Sequence, residues 1–111
     1  MAVLVVQHVA QEGPYEVGSA LEAAGLPLRV CRVWAGEPVP EDLTGAEALV
    51  VMGGPMSAYS DDGFPTREAE LSLLRTALAT QVPVLGVCLG SQLLAVAAGG
   101  RAWPGDTLQV G

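Results

Sequence analysis

With 111 residues, half of them hydrophobic and 15% charged, the chain has the composition of one globular domain and not of a disordered or low-complexity segment. Its net charge of -7 excludes the basic footprint that nucleic acid or an anionic membrane surface demands. The opening Met1 to Val6 lacks the charged start and length of a signal peptide, and no apolar run approaches a membrane span, so a cytoplasmic setting is expected.

In chain order, residues 2–9 form a continuous Val-rich run, the pattern of a strand buried on both faces in a parallel sheet. After Gly13-Pro14, residues 17–24 put Val17, Leu21 and Ala24 on one helical face, with Gly25 at the C-cap position. Residues 28–34 read as a second strand, residues 36–45 as a Pro-containing loop, and residues 46–52 as a third strand running into Gly53-Gly54-Pro55. Residues 66–80 repeat apolar positions at helical spacing, with Thr66 as N-cap and Glu68 and Glu70 suited to the first-turn dipole. A fourth strand over 82–87 and an apolar helix over 89–98, closed by Gly99-Gly100, complete the pattern. Strands alternating with helices predict an α/β fold: a flavodoxin-like, three-layer parallel sheet with helices on both faces.

The fourth strand delivers Gly86-Val87-Cys88-Leu89-Gly90 directly into a helix, a G-x-C-x-G form of the strand-to-helix nucleophile elbow. A nucleophile on so sharp a turn has a strained backbone, and Gly86 and Gly90 leave room for strand and helix to approach. The helix N-terminus favours negative charge on sulfur, and the Leu89 N–H is the natural first donor to a developing oxyanion. A second donor has to come from another loop, and the Gly54 N–H, at the C-terminal end of the third strand and followed by Pro55, is the choice. G-x-C-x-G alone fits an ordinary βα turn with a buried thiol equally well; the Gly-Gly-Pro turn at the same sheet edge tips the reading towards a nucleophile.

Through MGGPMS (residues 52–57) and PVLGVCLGSQLLA (residues 83–95), the sequence resembles the class I glutamine amidotransferases, the triad-type glutaminase domains. The segments at 7–14 and 99–111 are similar to stand-alone members, of the GMP synthase glutaminase-like or γ-glutamyl peptidase-like kind. The resemblance implies that Cys88 attacks the amide carbon of glutamine, giving a γ-glutamyl thioester and ammonia, with Gly54 and Leu89 holding the oxyanion. It also implies that Gln92 helps to hold the substrate, although a solvent-facing helix Gln is the alternative. A synthetase partner belongs to the full-length family. Family members complete their triad with a His-x-Glu pair further on, and these 111 residues contain none. The chain is therefore expected to hold the N-terminal part of the domain, truncated relative to the whole, with little or no turnover by itself. The alternative is a non-catalytic relative that binds or oligomerises through an exposed sheet edge.

The one histidine, His8, lies at the active edge of the sheet and reads either as a substitute base or as a structural or solvent-facing residue. Cys31 reads as a buried thiol, Asp61-Asp62 as a solvated turn, and Arg101 and Trp103 as packing or partner-facing residues. Without CxxC or a companion ligand cluster, neither a disulfide, a metal nor a cofactor is expected.

Overall fold

The computed structural model describes residues 2–99; Arg101, Trp103 and all but the first residue of the 99–111 similarity lie outside the described residues. The elements follow in the order β1 (Ala2–Gln7), α1 (Tyr15–Ala23), β2 (Leu28–Arg32), β3 (Ala46–Val51), α2 (Arg67–Thr80), β4 (Val84–Gly86) and α3 (Leu89–Ala97). The strands form one parallel sheet in the order β2-β1-β3-β4, which is the doubly wound α/β arrangement. With a neighbour on each side and a helical layer on each face, β1 has no solvent side, which is why it reads as unbroken Val and Leu.

Alternate residues of the central strands serve the two layers. On one face Val3, Val5, Val50 and Met52 meet Leu21 of α1. On the other, Leu4, Val6, Leu49 and Val51 pack beneath Leu71 and Leu74 of α2 and Leu93 and Leu94 of α3. The α1 layer is the thinner one: an apolar groove of about 130 Å³ opens beside it, lined by Val3, Val17, Leu21, Val50 and Leu85 among others.

Boundaries differ from the sequence expectation where local backbone chemistry intervenes. The first helix begins at Tyr15, directly after Pro14, whose ring fixes φ for a helix start, and Gly25 (φ 82°) takes the left-handed position after its end. Val33–Ala35 leaves the sheet as a 3-10 turn closed by Gly36 at φ 87°, so β2 stops at Arg32. The fourth strand is shorter than expected at its start. There Gln81 adopts a left-handed conformation (φ 61°) and the Val82 N–H donates to the Ala77 carbonyl (2.9 Å), making Val82 part of the α2 cap.

Thr66 does precede α2, but its side chain does not cap the helix. Its hydroxyl donates instead to Glu70 Oε2 (2.6 Å). Glu68 stays on the exposed first turn, whereas Glu70 points into the core.

Candidate functional site

The C-terminal ends of β1, β3 and β4 bring three short loops together around Cys88. Its backbone lies at φ 50°, ψ -109°, a strained conformation for a non-glycine residue, and its side chain is exposed. The flanking glycines explain how the chain passes through so tight a turn. A Cβ on Gly90 would stand 2.0 Å from the Val51 carbonyl oxygen, and one on Gly86 would stand 2.6 Å from the Gly90 carbonyl. Strand β4 and helix α3 therefore meet backbone to backbone.

The first amides of α3 are already engaged in part. The Gly90 N–H donates to Val87 O (2.9 Å), and the Ser91 and Gln92 N–H groups donate to Cys88 O (2.9 and 3.2 Å), which Ser91 Oγ also contacts (2.7 Å). The Leu89 N–H precedes these and stands where a helix offers an unpaired donor. Gln92 is half-buried one helical turn beyond Cys88. Across from the elbow, Gly53 lies against Cys88: a Cβ placed there would come within 3.5 Å of Cys88 Cβ and 2.7 Å of Glu12 Oε1. Gly54 is wedged in turn, since its Cβ would meet His8 Cβ at 3.2 Å and Leu89 Cδ2 at 3.3 Å. The Gly53-Gly54 turn, the elbow and the 8–13 loop thus share one small space.

His8 does not face solvent. Its ring is fully buried, bonded through Nε2 to the equally buried Glu70 carboxylate and lying 3.3 Å through Nδ1 from the Gly53 carbonyl oxygen. Phe64 closes a third side with an edge-on ring at 5.5 Å. Both ring nitrogens are therefore occupied by groups other than the thiol. Two residues around the site, Glu12 and Glu70, were not marked out by the sequence. The carboxylate of Glu12 reaches the site across a loop with no periodicity, and Glu70 joins it from a helix 62 positions away from His8.

The other thiol is of a different kind. Cys31 is buried, its sulfur donates to Pro38 O (3.3 Å), and its pKa is raised by burial first and then by the Glu37 and Glu70 carboxylates, against a smaller lowering by Arg29. Iodoacetamide at pH 8 is accordingly expected to modify Cys88 in the native chain on the order of a hundredfold faster than Cys31. Peptide mass spectrometry would count against this if both sites reacted together before denaturation.

Asp61 is held on the surface by Arg67 (3.2 Å), which also donates to Ala58 O (2.7 Å), and among the described residues no cluster of His, Cys, Asp or Glu could hold a metal ion. Among the same residues no helix is long and apolar enough to cross a membrane.

The chain is similar in sequence and fold to known proteins. The family model "Glutamine amidotransferase class-I" matches residues 15–109. The chain is 38% identical over 81 residues to a GMP synthase [glutamine-hydrolyzing] of Porphyromonas gingivalis, covering 73% of this chain and 15% of that protein. It is 32% identical over 117 aligned positions to the putative glutamine amidotransferase-like protein YfeJ of Salmonella typhimurium, covering 96% of this chain and 47% of that one. Among solved structures, a glutamine amidotransferase from Methylobacillus flagellatus superposes with a TM-score of 0.82 at 42% identity, over 88% of this chain and 39% of its own. One from Thermotoga maritima gives 0.76 at 31% identity, over 89% and 43%. The chain thus spans less than half the length of each of these relatives. On the family match across most of its residues, and with the fold of its solved relatives, the chain belongs to the class I glutamine amidotransferases.

Proposed function

We propose that these 111 residues carry the nucleophile and oxyanion-binding part of a glutaminase domain, with Cys88 as the nucleophile and the Gly54 and Leu89 N–H groups as the oxyanion donors. The observation that supports this most is the strained, exposed Cys88 on an elbow whose glycines leave no room for a Cβ, set directly against the Gly53-Gly54 turn. In this reading the Cys88 sulfur adds to the side-chain amide carbon of glutamine, or to a γ-glutamyl bond. Collapse of the tetrahedral adduct expels ammonia or an amine, which must gain a proton to leave, and water then attacks the thioester to release glutamate. Gln92, half-buried on the first turn of α3, is placed to hold the substrate, and the Glu12 carboxylate offers a counter-charge to an amino acid's α-ammonium. No cofactor or metal enters this chemistry.

The proton transfers need a base, and His8, the single histidine, is engaged by Glu70 and Gly53. Acylation and deacylation by these residues alone are therefore slow. The chain is expected to be alkylated at Cys88 by the chloromethyl ketone analogue of glutamine, faster than by iodoacetamide under the same conditions, and to release no measurable ammonia from glutamine. Cys88→Ala should abolish the labelling. Ammonia release that Cys88→Ala removes would overturn the inactive reading, and the absence of any preference for the glutamine analogue would overturn the substrate assignment. A second reading rests on the open α1 side of the sheet: a binding or oligomerising module that covers its apolar groove and its β4 edge with another chain, in a cytoplasmic setting. For this chain that partner is a second copy, apart from the synthetase partner that the GMP synthase relatives imply for the full-length family.

A further inference from the structure

The buried His8 and Glu70 have no part in the chemistry described above, yet their side chains are only 0% and 1% exposed and they join the 8–13 loop to helix α2. Burying such a pair is costly unless its geometry is well satisfied. Its remaining valences are satisfied by the Thr66 hydroxyl on Glu70 Oε2 (2.6 Å) and, on the His8 side, by a single backbone group, the Gly53 carbonyl. Gly53 C=O and Gly54 N–H belong to the same peptide unit.

We propose that His8, held by Glu70, is a positioning residue for the oxyanion donor: its Nδ1–H fixes the Gly53 carbonyl inward and so turns the Gly54 N–H outward, into the site. The inference rests on the assignment of Gly54 as a donor. No peptide bond in the described chain is cis, so the C=O and N–H of the Gly53-Gly54 unit point in opposite directions. With the carbonyl directed at a fully buried ring, the amide hydrogen has to face away from the core. Flanking glycines make the constraint necessary, because neither residue has a Cβ to bar a rotation of the intervening peptide by half a turn. After such a rotation a carbonyl oxygen would face the developing oxyanion and repel it.

The role of Glu70 follows from proton accounting. The Gly53 carbonyl can only accept, so Nδ1 must carry a hydrogen. With that hydrogen on Nδ1 the pair has two arrangements, imidazolium with carboxylate or neutral imidazole accepting at Nε2 from the carboxylic acid, and Glu70 can serve in either. A neutral ring that gave its one hydrogen from Nε2 to the carboxylate would set a bare Nδ1 against the Gly53 carbonyl oxygen, two acceptors face to face.

The test compares two rates of Cys88 alkylation in the 111-residue chain: by the chloromethyl ketone analogue of glutamine, whose carbonyl oxygen needs the oxyanion donors, and by iodoacetamide, which reports the thiol alone. His8→Phe keeps an aromatic ring beside Phe64 and removes the donor. It is expected to lower the chloromethyl ketone rate at least about tenfold while leaving the iodoacetamide rate within about twofold. His8→Asn, whose amide nitrogen can occupy the Nδ1 position, should restore most of the difference. The double variant His8→Phe/Glu70→Leu removes both buried polar groups together and serves if His8→Phe is poorly folded; it should show the same selective loss. Equal falls in both rates, or an unchanged ratio in folded variants, would overturn the positioning role. Failure of the functional reading is separately visible, since the unaltered chain would then show no preference for the glutamine analogue.

Discussion

Gly90→Ala is expected to remove the native fold or to lower its stability by at least about 4 kcal/mol, a large share of the roughly 5–15 kcal/mol that holds a domain together. The added methyl carbon would lie 2.0 Å from the Val51 carbonyl oxygen and 2.7 Å from its carbon, and both belong to the backbone of a central strand. No rotamer change can relieve the overlap, so α3 has to move from β3 by roughly an ångström, parting contacts along both elements. The effect exceeds ordinary overpacking because two main chains and no flexible side chain are forced apart. Urea unfolding followed by circular dichroism measures it, with Gly63→Ala as the control. Gly63 has nothing within 4 Å of its Cβ position and only a positive φ of 64° to lose, so about 1 kcal/mol is expected there. A Gly90→Ala chain as stable as the Gly63→Ala chain would show that the elbow is not closed in this way.

The second large effect concerns Glu70. Glu70→Ala removes one member of a fully buried pair and leaves the His8 ring and the Thr66 hydroxyl without their partner, in a core sealed by Phe64. A loss of about 3–5 kcal/mol is expected, since breaking a buried pair strands its other half. Replacing both members tells the pair's own contribution from the penalty of orphaning. The double variant His8→Phe/Glu70→Leu should recover most of the lost stability, because apolar residues of similar volume often substitute for buried pairs at little net cost. Chemical denaturation of the single and double variants decides the matter, and a Glu70→Ala loss below about 1 kcal/mol would mean the pair is solvated in solution.

The strands and helices were legible because each has a strong local signal, a short apolar run or a helical period, and the parallel α/β class followed from their alternation. The motif loops were legible for a related reason: a glycine pair or a flanked cysteine at a strand end is a local statement about backbone room. What the sequence concealed is non-local. Glu70 lies in the first turn of α2 beside Glu68, and nothing in that spacing separates a charge that serves the helix dipole from one that pairs with a histidine 62 positions earlier. Gln81 was equally silent. It takes the left-handed position that glycine takes at Gly25, and so hands Val82 to the helix cap and shortens β4. The ends of elements depended on such single-residue conformations, whereas their existence did not.

The direct contact of α3 with β3 has a consequence for how such a protein can diversify. With no side chain between Gly90 and the Val51 carbonyl, the sulfur is anchored to the sheet's main chain and not to a loop. Substitutions in either hydrophobic layer shift it only as far as they bend a central strand. New substrate preferences therefore have to be written into the exposed positions of the segments that rise around the elbow, such as Ala10, Gln11 and Asp62, where sequence can drift without moving the attacking atom. For an engineer the same geometry divides the molecule into a part to leave alone and a part to randomise.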